Sequence, residues 1–173
     1  MGTFVNSWWD GGNVNSVCLI ANGKSALSGS TDKTLKLWDV STSQCLRTFQ
    51  GHSSTVTSVS LSADERYALS GSDDKTLKLW DVSTGQCLRT FEGRGYVCSV
   101  CLSADGRYAL SGSRDNTLKL WETETGECVH NFEGHTNSVY SVALSADGKY
   151  ALSGSSDDTI KLFRLIWKLE FDE

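Results

Sequence analysis

Residues 69–82 read LSGSDDKTLKLWDV, and nearly the same stretch occurs three more times in the chain. The copies are LSGSTDKTLKLWDV at 27–40, LSGSRDNTLKLWE at 110–122 and LSGSSDDTIKLFR at 152–164. The aromatic residue near the end of each copy recurs every 41 or 42 residues. A fixed period of this length predicts a repeat architecture in which each copy is one structural unit.

Each repeat carries the pattern of four short antiparallel strands. In TLKLW, Leu77 and Leu79 alternate with Lys78 and Trp80, which is the period of a strand. The segments VTSVSLS, RYALS and CLRTF of the same repeat are also strand-like, and turns such as GSDDK and STGQ separate the four. One such sheet cannot bury both of its faces alone, so the four sheets are expected to stack on one another.

The chain resembles the WD-repeat β-propellers. The resemblance is carried in repeat two by Gly51-His52, Ser70-Gly71-Ser72, Asp74 and Trp80-Asp81, and it stays in phase over four repeats. It implies an all-β propeller built of four-stranded antiparallel blades, with four blades in the chain. We expect one WD-repeat domain over residues 1–173, with repeats at about 10–50, 51–92, 93–133 and 134–173.

Charge and hydropathy limit the classes of partner. Among 173 residues there are 16 Lys and Arg against 21 Asp and Glu, a formal net charge of −5. This balance disfavours nucleic acid and membrane surfaces as partners, because both attract basic proteins. No apolar run reaches the roughly 20 residues of a spanning helix, and the first residues lack the pattern of a signal peptide.

The six cysteines are predicted to be free thiols. Cys45, Cys87 and Cys128 occupy the same position in three repeats, so they cannot all meet, and we expect them to be small buried apolar residues. Cys98 and Cys101 have C-x-x-C spacing, but no second pair follows at the spacing of a zinc site. We therefore expect no metal and no cofactor, and a reducing, cytoplasmic location.

A set of His, Ser, Asp and Trp side chains invites two interpretations. Ser70, His52 and Asp74 have the residue types of a catalytic triad. In the family that the chain resembles, these types and the Trp form a buried hydrogen-bonded network, and here Trp80 can donate to Ser70, Ser70 to His52 and His52 to Asp74. We favour the structural interpretation and assign no catalytic residue. The corresponding residues of the other repeats are Ser28, Asp32 and Trp38; Ser111, Asp115 and Trp121; and His135, Ser153 and Asp157.

The resemblance places partner contacts on the loops at one end of the blades, where the His-bearing loop and the Asp-bearing turn meet. The candidates at that end are Asn13, Asn15, Thr55, Asp73, Arg94, Tyr96, Arg114, Ser138 and Tyr140. Tyr and Arg are common anchors of interfaces, and Arg94 with Arg114 could hold a carboxylate or phosphate group.

Two classes of function fit this pattern. The first is a non-catalytic scaffold that presents loops to a protein or peptide partner, and we favour it because folding alone accounts for nearly every residue of the repeats. The alternative is a self-assembling structural unit without a separate ligand. An enzyme is not expected, because no polar cluster stands outside the repeat pattern.

Four blades predict an open ring. WD-repeat propellers usually have more blades than four, so the chain is expected to form about half of an eight-bladed ring with apolar faces at both flanks. We expect a homodimer in which the first repeat of each copy packs on the fourth repeat of the other. Residues 3–9 or 165–171 are expected to form an outer strand that completes a last blade. A fragment of a longer array and a closed four-bladed monomer stay open as alternatives.

Overall fold

The computed structural model describes residues 10–20 and 23–165 of the chain. Within them the chain forms short strands joined by turns and loops. The strands are β1 (Val14–Leu19), β2 (Ser25–Ser30), β3 (Leu35–Asp39), β4 (Cys45–Phe49), β5 (Val56–Leu61), β6 (Tyr67–Ser72), β7 (Thr76–Asp81), β8 (Cys87–Glu92), β9 (Val97–Leu102), β10 (Tyr108–Ser113), β11 (Leu118–Glu122), β12 (Cys128–Phe132), β13 (Val139–Leu144), β14 (Tyr150–Ser155) and β15 (Ile160–Arg164).

Consecutive strands pair with one another and form four antiparallel sheets, which we number as blades 1 to 4. They comprise β1–β4, β5–β8, β9–β12 and β13–β15. The prediction of an all-β fold with one sheet per repeat is therefore confirmed. Blade 4 has three strands within the described residues. The outer strands predicted at 3–9 and 165–171 lie outside those residues, apart from Leu165.

The hydrophobic core lies between neighbouring blades. One face of each blade, here called the leucine face, is formed in blade 2 by Leu69, Leu77, Leu79 and Phe91. The opposite face, here called the valine face, is formed in blade 3 by Val97, Val100, Ala109 and Trp121. These two faces pack into one cluster, and equivalent clusters join blade 1 to blade 2 and blade 3 to blade 4. We call each such contact a seam.

A glycine in the second strand lets the backbones approach at each seam. A Cβ atom built on Gly71 would lie 2.5 Å from a methyl carbon of Val97 and 2.8 Å from one of Val100. Gly29 and Gly112 meet the valines of the next blade in the same way. A side chain at these three positions would overlap its neighbour, so the glycine of the Ser-Gly-Ser stretch is a packing requirement at each seam.

Within the described residues, two apolar faces are left uncovered, one at each flank of the stack. On the valine face of blade 1, Val17 is 73 % exposed, whereas its equivalent Val59 in blade 2 is 6 % exposed. On the leucine face of blade 4, Ile160 is 76 % exposed, whereas its equivalent Leu77 is 1 % exposed. The four described blades therefore form an open arc, and the closed four-bladed monomer is not what the structure shows.

The inner strands of the four blades converge at the concave side of this arc. β1 packs beside β5, β5 beside β9 and β9 beside β13. Together they line a cavity of about 320 Å³ with Leu19, Leu61, Leu102 and Leu144. Leucines from all four blades thus line one shared cavity, as expected for part of a propeller.

Arginines on the outer strands tie two of the three seams. The Arg47 guanidinium donates to the carbonyl oxygens of Ser83 and Thr84, at 2.7 and 3.0 Å, in the turn after β7. Arg89 makes the same contact with the turn after β11. The equivalent residue of blade 3 is His130, whose ring packs on Phe132 with centroids 4.4 Å apart.

The prediction that Cys45, Cys87 and Cys128 are buried is wrong, because all three are exposed. Each begins an outer strand at a point where the register of pairing shifts, opposite the tryptophan of its blade. The outward side of an outer strand has no neighbouring blade to cover it. The six cysteines are all free thiols, as predicted.

Candidate functional site

The network predicted for blade 2 is connected in the structure. The indole N–H of Trp80 donates to Ser70 Oγ at 2.9 Å, and Ser70 Oγ lies 2.7 Å from His52 Nε2. His52 Nδ1 lies 2.7 Å from Asp74 Oδ2. Donation from Trp to Ser to His to Asp satisfies every polar atom of the row. His52, Ser70 and Trp80 are buried, so the network links β7, β6 and the loop before β5 inside the blade.

Burial and hydrogen bonding set the ionisation of this network. Burial lowers the pKa of His52 below 6.5 and outweighs the opposing attraction of the Asp74 carboxylate, so the imidazole is neutral at pH 7. Burial alone would raise the pKa of Asp74, but hydrogen bonds from Thr76 and His52 outweigh it and hold the pKa at about 2. Asp74 also accepts the backbone N–H of Ser53 at 3.0 Å.

Blade 4 keeps the same geometry without the indole. His135 Nδ1 lies 2.8 Å from Asp157 Oδ2, and His135 Nε2 lies 2.8 Å from Ser153 Oγ. Phe163 stands at the tryptophan position and has no N–H to donate. Its ring packs instead on Phe132 of blade 3, with centroids 4.8 Å apart.

Blade 1 replaces the histidine with an ion-paired group. Asp10 stands at the histidine position and accepts the hydroxyl of Ser28, which in turn accepts the Trp38 indole N–H at 2.9 Å. Lys36 Nζ lies 3.1 Å from both Asp10 Oδ1 and Asp32 Oδ2. Burial opposes the charge of Lys36, but the two carboxylates outweigh it and raise the pKa of this amine. The lysine thus joins two carboxylates where blade 2 has one imidazole.

The hydrogen-bonded network of blade 3 has the fewest members. The Trp121 indole N–H donates to Ser111 Oγ at 2.9 Å, and Asp115 holds its own turn through the N–H and hydroxyl of Thr117. Arg94, which stands in place of the histidine, is exposed. Its guanidinium is therefore presented to solvent beside the network.

At one end of the blades, here called the loop end, the loop before the inner strand meets the turn after the second strand. In every blade, a backbone N–H of the turn after the second strand donates to a carbonyl oxygen just before the inner strand. The pairs are Thr31 to Asn13 at 2.9 Å, and Asp73 to Thr55, Arg114 to Tyr96 and Ser156 to Ser138 at 3.0 Å each. The His-bearing loop and the Asp-bearing turn therefore share this end.

At the loop end, a cluster of side chains surrounds Tyr96, between blades 2 and 3. Tyr96 is 43 % exposed, and Arg114 Cζ and Lys75 Nζ lie over its ring at 5.4 and 5.9 Å from the centroid. We call these three residues the tyrosine cluster. Cys98 lies beside it, and burial raises the pKa of this thiol although Arg114 opposes the shift.

The other predicted contact residues differ in their exposure to solvent. Tyr140 is 52 % exposed, and Asn13 is exposed as well. Thr55, Asp73 and Ser138 are half-buried at the rim. Asn15 is exposed, and its Nδ2 donates across the seam to the carbonyl oxygen of Val56 in the next blade at 3.0 Å.

Sequence reasoning missed two lysines. Lys75 was not singled out because its contact with Tyr96 joins different blades. Lys36 belongs to the repeated TLKLW stretch, and its equivalent Lys78 bonds only the hydroxyl of Thr90 in the outer strand. The signal for Lys36 was the substitution of an acid for the histidine at position 10, since a buried carboxylate requires a cation.

A family model covers nearly the whole chain. The model described as WD domain, G-beta repeat matches four segments, residues 2–39, 43–81, 85–122 and 126–164. The chain belongs to the WD40 family. The WD40 assignment agrees with the four sheets and with the Trp-Ser-His-Asp geometry of blade 2.

Two curated relatives match one repeat of this WD40 chain. "Probable E3 ubiquitin ligase complex SCF subunit sconB" of Talaromyces stipitatus is 49 % identical over 43 residues. The protein of the same description from Aspergillus clavatus is 44 % identical over 43 residues. Each match covers 25 % of this chain and 6 % of the relative's length. The similarity is therefore to a small part of proteins far longer than the matched segment.

The described part of the WD40 chain contains no helix long and apolar enough to cross a membrane.

Proposed function

We propose that this WD40 chain is a non-catalytic scaffold that holds an acidic protein or peptide partner on its loop end. The tyrosine cluster carries the proposal, because an exposed aromatic ring with two cations against it offers both apolar contact and charge to a carboxylate or phosphate. Arg94 adds a further exposed cation in the loop that contains Tyr96.

Burial of the Ser-His-Asp sets supports a structural role for them. Ser70 is fully buried and already accepts the Trp80 indole N–H, so no substrate carbonyl can reach its oxygen. His135 and Ser153 are equally enclosed in blade 4. A nucleophile must contact its substrate, so these residues serve the fold and the loops above them serve recognition.

The relatives point the same way. Both are described as subunits of a ubiquitin ligase complex, and a subunit acts by contacting other proteins. The chain-wide charge of −5 disfavours nucleic acid as the partner and limits long-range attraction of anions, so recognition rests on the local cations of the loop end.

Peptide titration tests the scaffold role. The probes are an Asp/Glu-rich peptide, its phosphoserine counterpart and a Lys-rich peptide of equal length, each followed by fluorescence anisotropy. We expect saturable binding of the acidic probes, weakened about tenfold or more in an Arg94→Ala/Arg114→Ala double variant. The matched control is Arg66→Ala, because Arg66 lies 5.4 Å from the Tyr67 ring centroid at the opposite end of blade 2. Equal, negligible binding by wild type and double variant would sink the proposal.

Self-assembly into a homodimer is a second candidate function. The observation that favours it is the exposure of apolar side chains on both flanks, since soluble monomers rarely expose contiguous apolar patches. Light scattering on the purified chain measures it directly. We expect a mass of twice 18.9 kDa, and a mass of 18.9 kDa at micromolar concentrations rules the dimer out.

We also propose a cytoplasmic location, supported by the three exposed thiols Cys45, Cys87 and Cys128. Exposed free thiols persist in reducing compartments and oxidise elsewhere. Fractionation of cells that carry a tagged chain tests it, and recovery of the chain in a secreted or periplasmic fraction contradicts the location.

A further inference from the structure

The three seams inside the chain define how one blade docks on the next. At each seam a leucine face receives two valines of the following inner strand, and those valines lie against a glycine. Val56, Val97 and Val139 are nearly fully buried in this way. The contact is therefore a single repeated geometry with one register.

The two uncovered faces carry the two halves of this same contact. Val14 and Val17 of blade 1 occupy the places of Val56 and Val59, yet they are 47 and 73 % exposed. Leu152, Ile160 and Leu162 of blade 4 occupy the places of Leu69, Leu77 and Leu79, yet they are 42, 76 and 65 % exposed.

Gly154 lies where the two valines of a following blade would pack. Among the described residues, a Cβ atom built on it meets only the Cβ of Ser141, at 3.9 Å, which is ordinary van der Waals contact. At the equivalent Gly29, Gly71 and Gly112 the same atom would lie 2.5 to 2.8 Å from valine methyl carbons of the next blade. Blade 4 thus keeps the clearance that a following valine face requires.

We infer that a second copy of this chain docks the valine face of its blade 1 on the leucine face of blade 4, in the register of the internal seams. Val14 and Val17 of the second copy then lie over Gly154. Two such seams related by a two-fold axis close the pair, since each copy offers both faces. This inference rests on the self-assembly candidate above and assigns its interface residues.

One hydrogen bond across the new seam follows from the same register. Inside the chain, the backbone N–H of Val59 donates to Ser16 Oγ at 3.1 Å, and that of Val100 donates to Ser58 Oγ at 3.0 Å. Ser141 is the equivalent serine of blade 4 and is exposed. Its hydroxyl is therefore placed to accept the N–H of Val17 from the second copy.

Gly154→Ala tests the register by sedimentation equilibrium. The added methyl group fits inside one copy, because its nearest neighbour is 3.9 Å away, but it overlaps the valines of a second copy. We expect wild type to be a dimer and the dissociation constant of the variant to rise at least about tenfold. Ile160→Lys should abolish the dimer, and Leu88→Lys is its matched control, because Leu88 is 48 % exposed on an outer strand away from both faces.

Disulfide trapping tests the contact itself. In a background of Cys45→Ser, Cys87→Ser and Cys128→Ser, a Val14→Cys chain is mixed with a Gly154→Cys chain. At the seams of Gly29 with Val56 and of Gly71 with Val97 the corresponding Cβ atoms would lie 3.4 and 3.3 Å apart, close to disulfide spacing, so we expect a cross-linked pair under mild oxidation. Leu88→Cys mixed with Gly154→Cys should stay uncoupled.

The outcomes separate this inference from the functions proposed above. A dimer that is unaffected by Gly154→Ala and gives no cross-link overturns the register but leaves self-assembly standing. A wild-type monomer overturns both, and masses beyond two copies overturn the closed pair. Peptide binding at the loop end is measured independently and reports on the scaffold role alone.

Discussion

His52 joins three parts of blade 2 through its two ring nitrogens, and its loss removes one hydrogen-bond partner from Ser70 and one from Asp74. We expect His52→Ala to lower the free energy of unfolding by about 1–3 kcal/mol, the cost of unsatisfied buried polar groups. Urea denaturation measures it. His130→Ala is the control within the same chain, because His130 is exposed on an outer strand. An unchanged midpoint for His52→Ala together with lost peptide binding would contradict the structural role.

The same network predicts how stability depends on pH. The pKa of His52 lies below its unfolded value of 6.5, so the folded state binds fewer protons than the unfolded chain and stability falls as pH drops below 6.5. The pKa of Asp74, about 2 against 3.8, removes further stability as pH falls from 3.8 toward 2. Urea midpoints measured between pH 8 and pH 3 should therefore decrease in two stages, and His52→Ala should flatten the first. A midpoint that rises on acidification contradicts this.

Lys36 is predicted to matter more than the identical residue of the next repeat. Lys36→Met leaves the buried carboxylate of Asp10 without its cation. Lys78→Met removes only a hydrogen bond to the exposed hydroxyl of Thr90. We expect the first variant to lose about 3 kcal/mol more stability than the second. This is the low end of the cost of breaking a buried ion pair, because the amine is partly exposed. Adding Asp10→Asn should recover part of the loss. Equal destabilisation by the two lysine variants would refute the ion-pair role.

At the scale of strands and turns, each blade contains a hairpin with a left-handed residue. The positions are Lys33, Lys75, Asn116 and Asp158, with φ of 73°, 70°, 71° and 63°. Lysine is strained in this region, whereas asparagine adopts it readily. We expect Lys33→Asn to raise the free energy of unfolding by about 0.5 kcal/mol. The reverse exchange, Asn116→Lys, should lower it by a similar amount, and thermal melts that move both variants in one direction contradict the explanation.

The strands themselves were predictable from the sequence, because alternation and repetition act locally. Leu77, Leu79 and Trp80 specify the third strand of blade 2, and the phase of four repeats specifies four sheets. Contacts between blades were harder to predict from the sequence. Arg47 bonds to backbone carbonyls, which any residue provides, so no pattern of letters marks its acceptors. The exposure of Cys45 depends on the absence of a neighbour outside the outer strand.

The candidate site shows the same division. The connection of His52, Ser70, Asp74 and Trp80 could be written down from residue types and a family resemblance. The tyrosine cluster could not, because its members come from two blades that meet only after the stack has formed. Tyr96 and Arg114 were candidates because Tyr and Arg are common interface residues. Lys75, the third member, is identified only by its position in the packed stack.

At the scale of the whole molecule, the buried hydrophobic clusters lie at the seams between blades. Each seam buries large side chains from both partners, such as Phe91 against Trp121 with ring centroids 5.7 Å apart. We expect Gly71→Val to unfold much of the chain, because its side chain collides with Val97 and Val100 in the middle of the stack. Circular dichroism should show lost strand signal, whereas Gly154→Ala should retain it. A folded, fully stable Gly71→Val protein contradicts the seam geometry.

The arginine contacts described for the outer strands make the seams of the stack unequal. Arg47 and Arg89 fasten blade 1 to blade 2 and blade 2 to blade 3, but His130 supplies no guanidinium for the last seam. Repeat proteins open locally at their weakest junction, and opening is what lets backbone amides exchange hydrogen for deuterium. In exchange followed by mass spectrometry, amides of blade 4 should therefore take up deuterium before those of blade 1. With Arg89→Ala, blades 3 and 4 should exchange together, and the boundary between slow and fast amides should move to the seam behind blade 2.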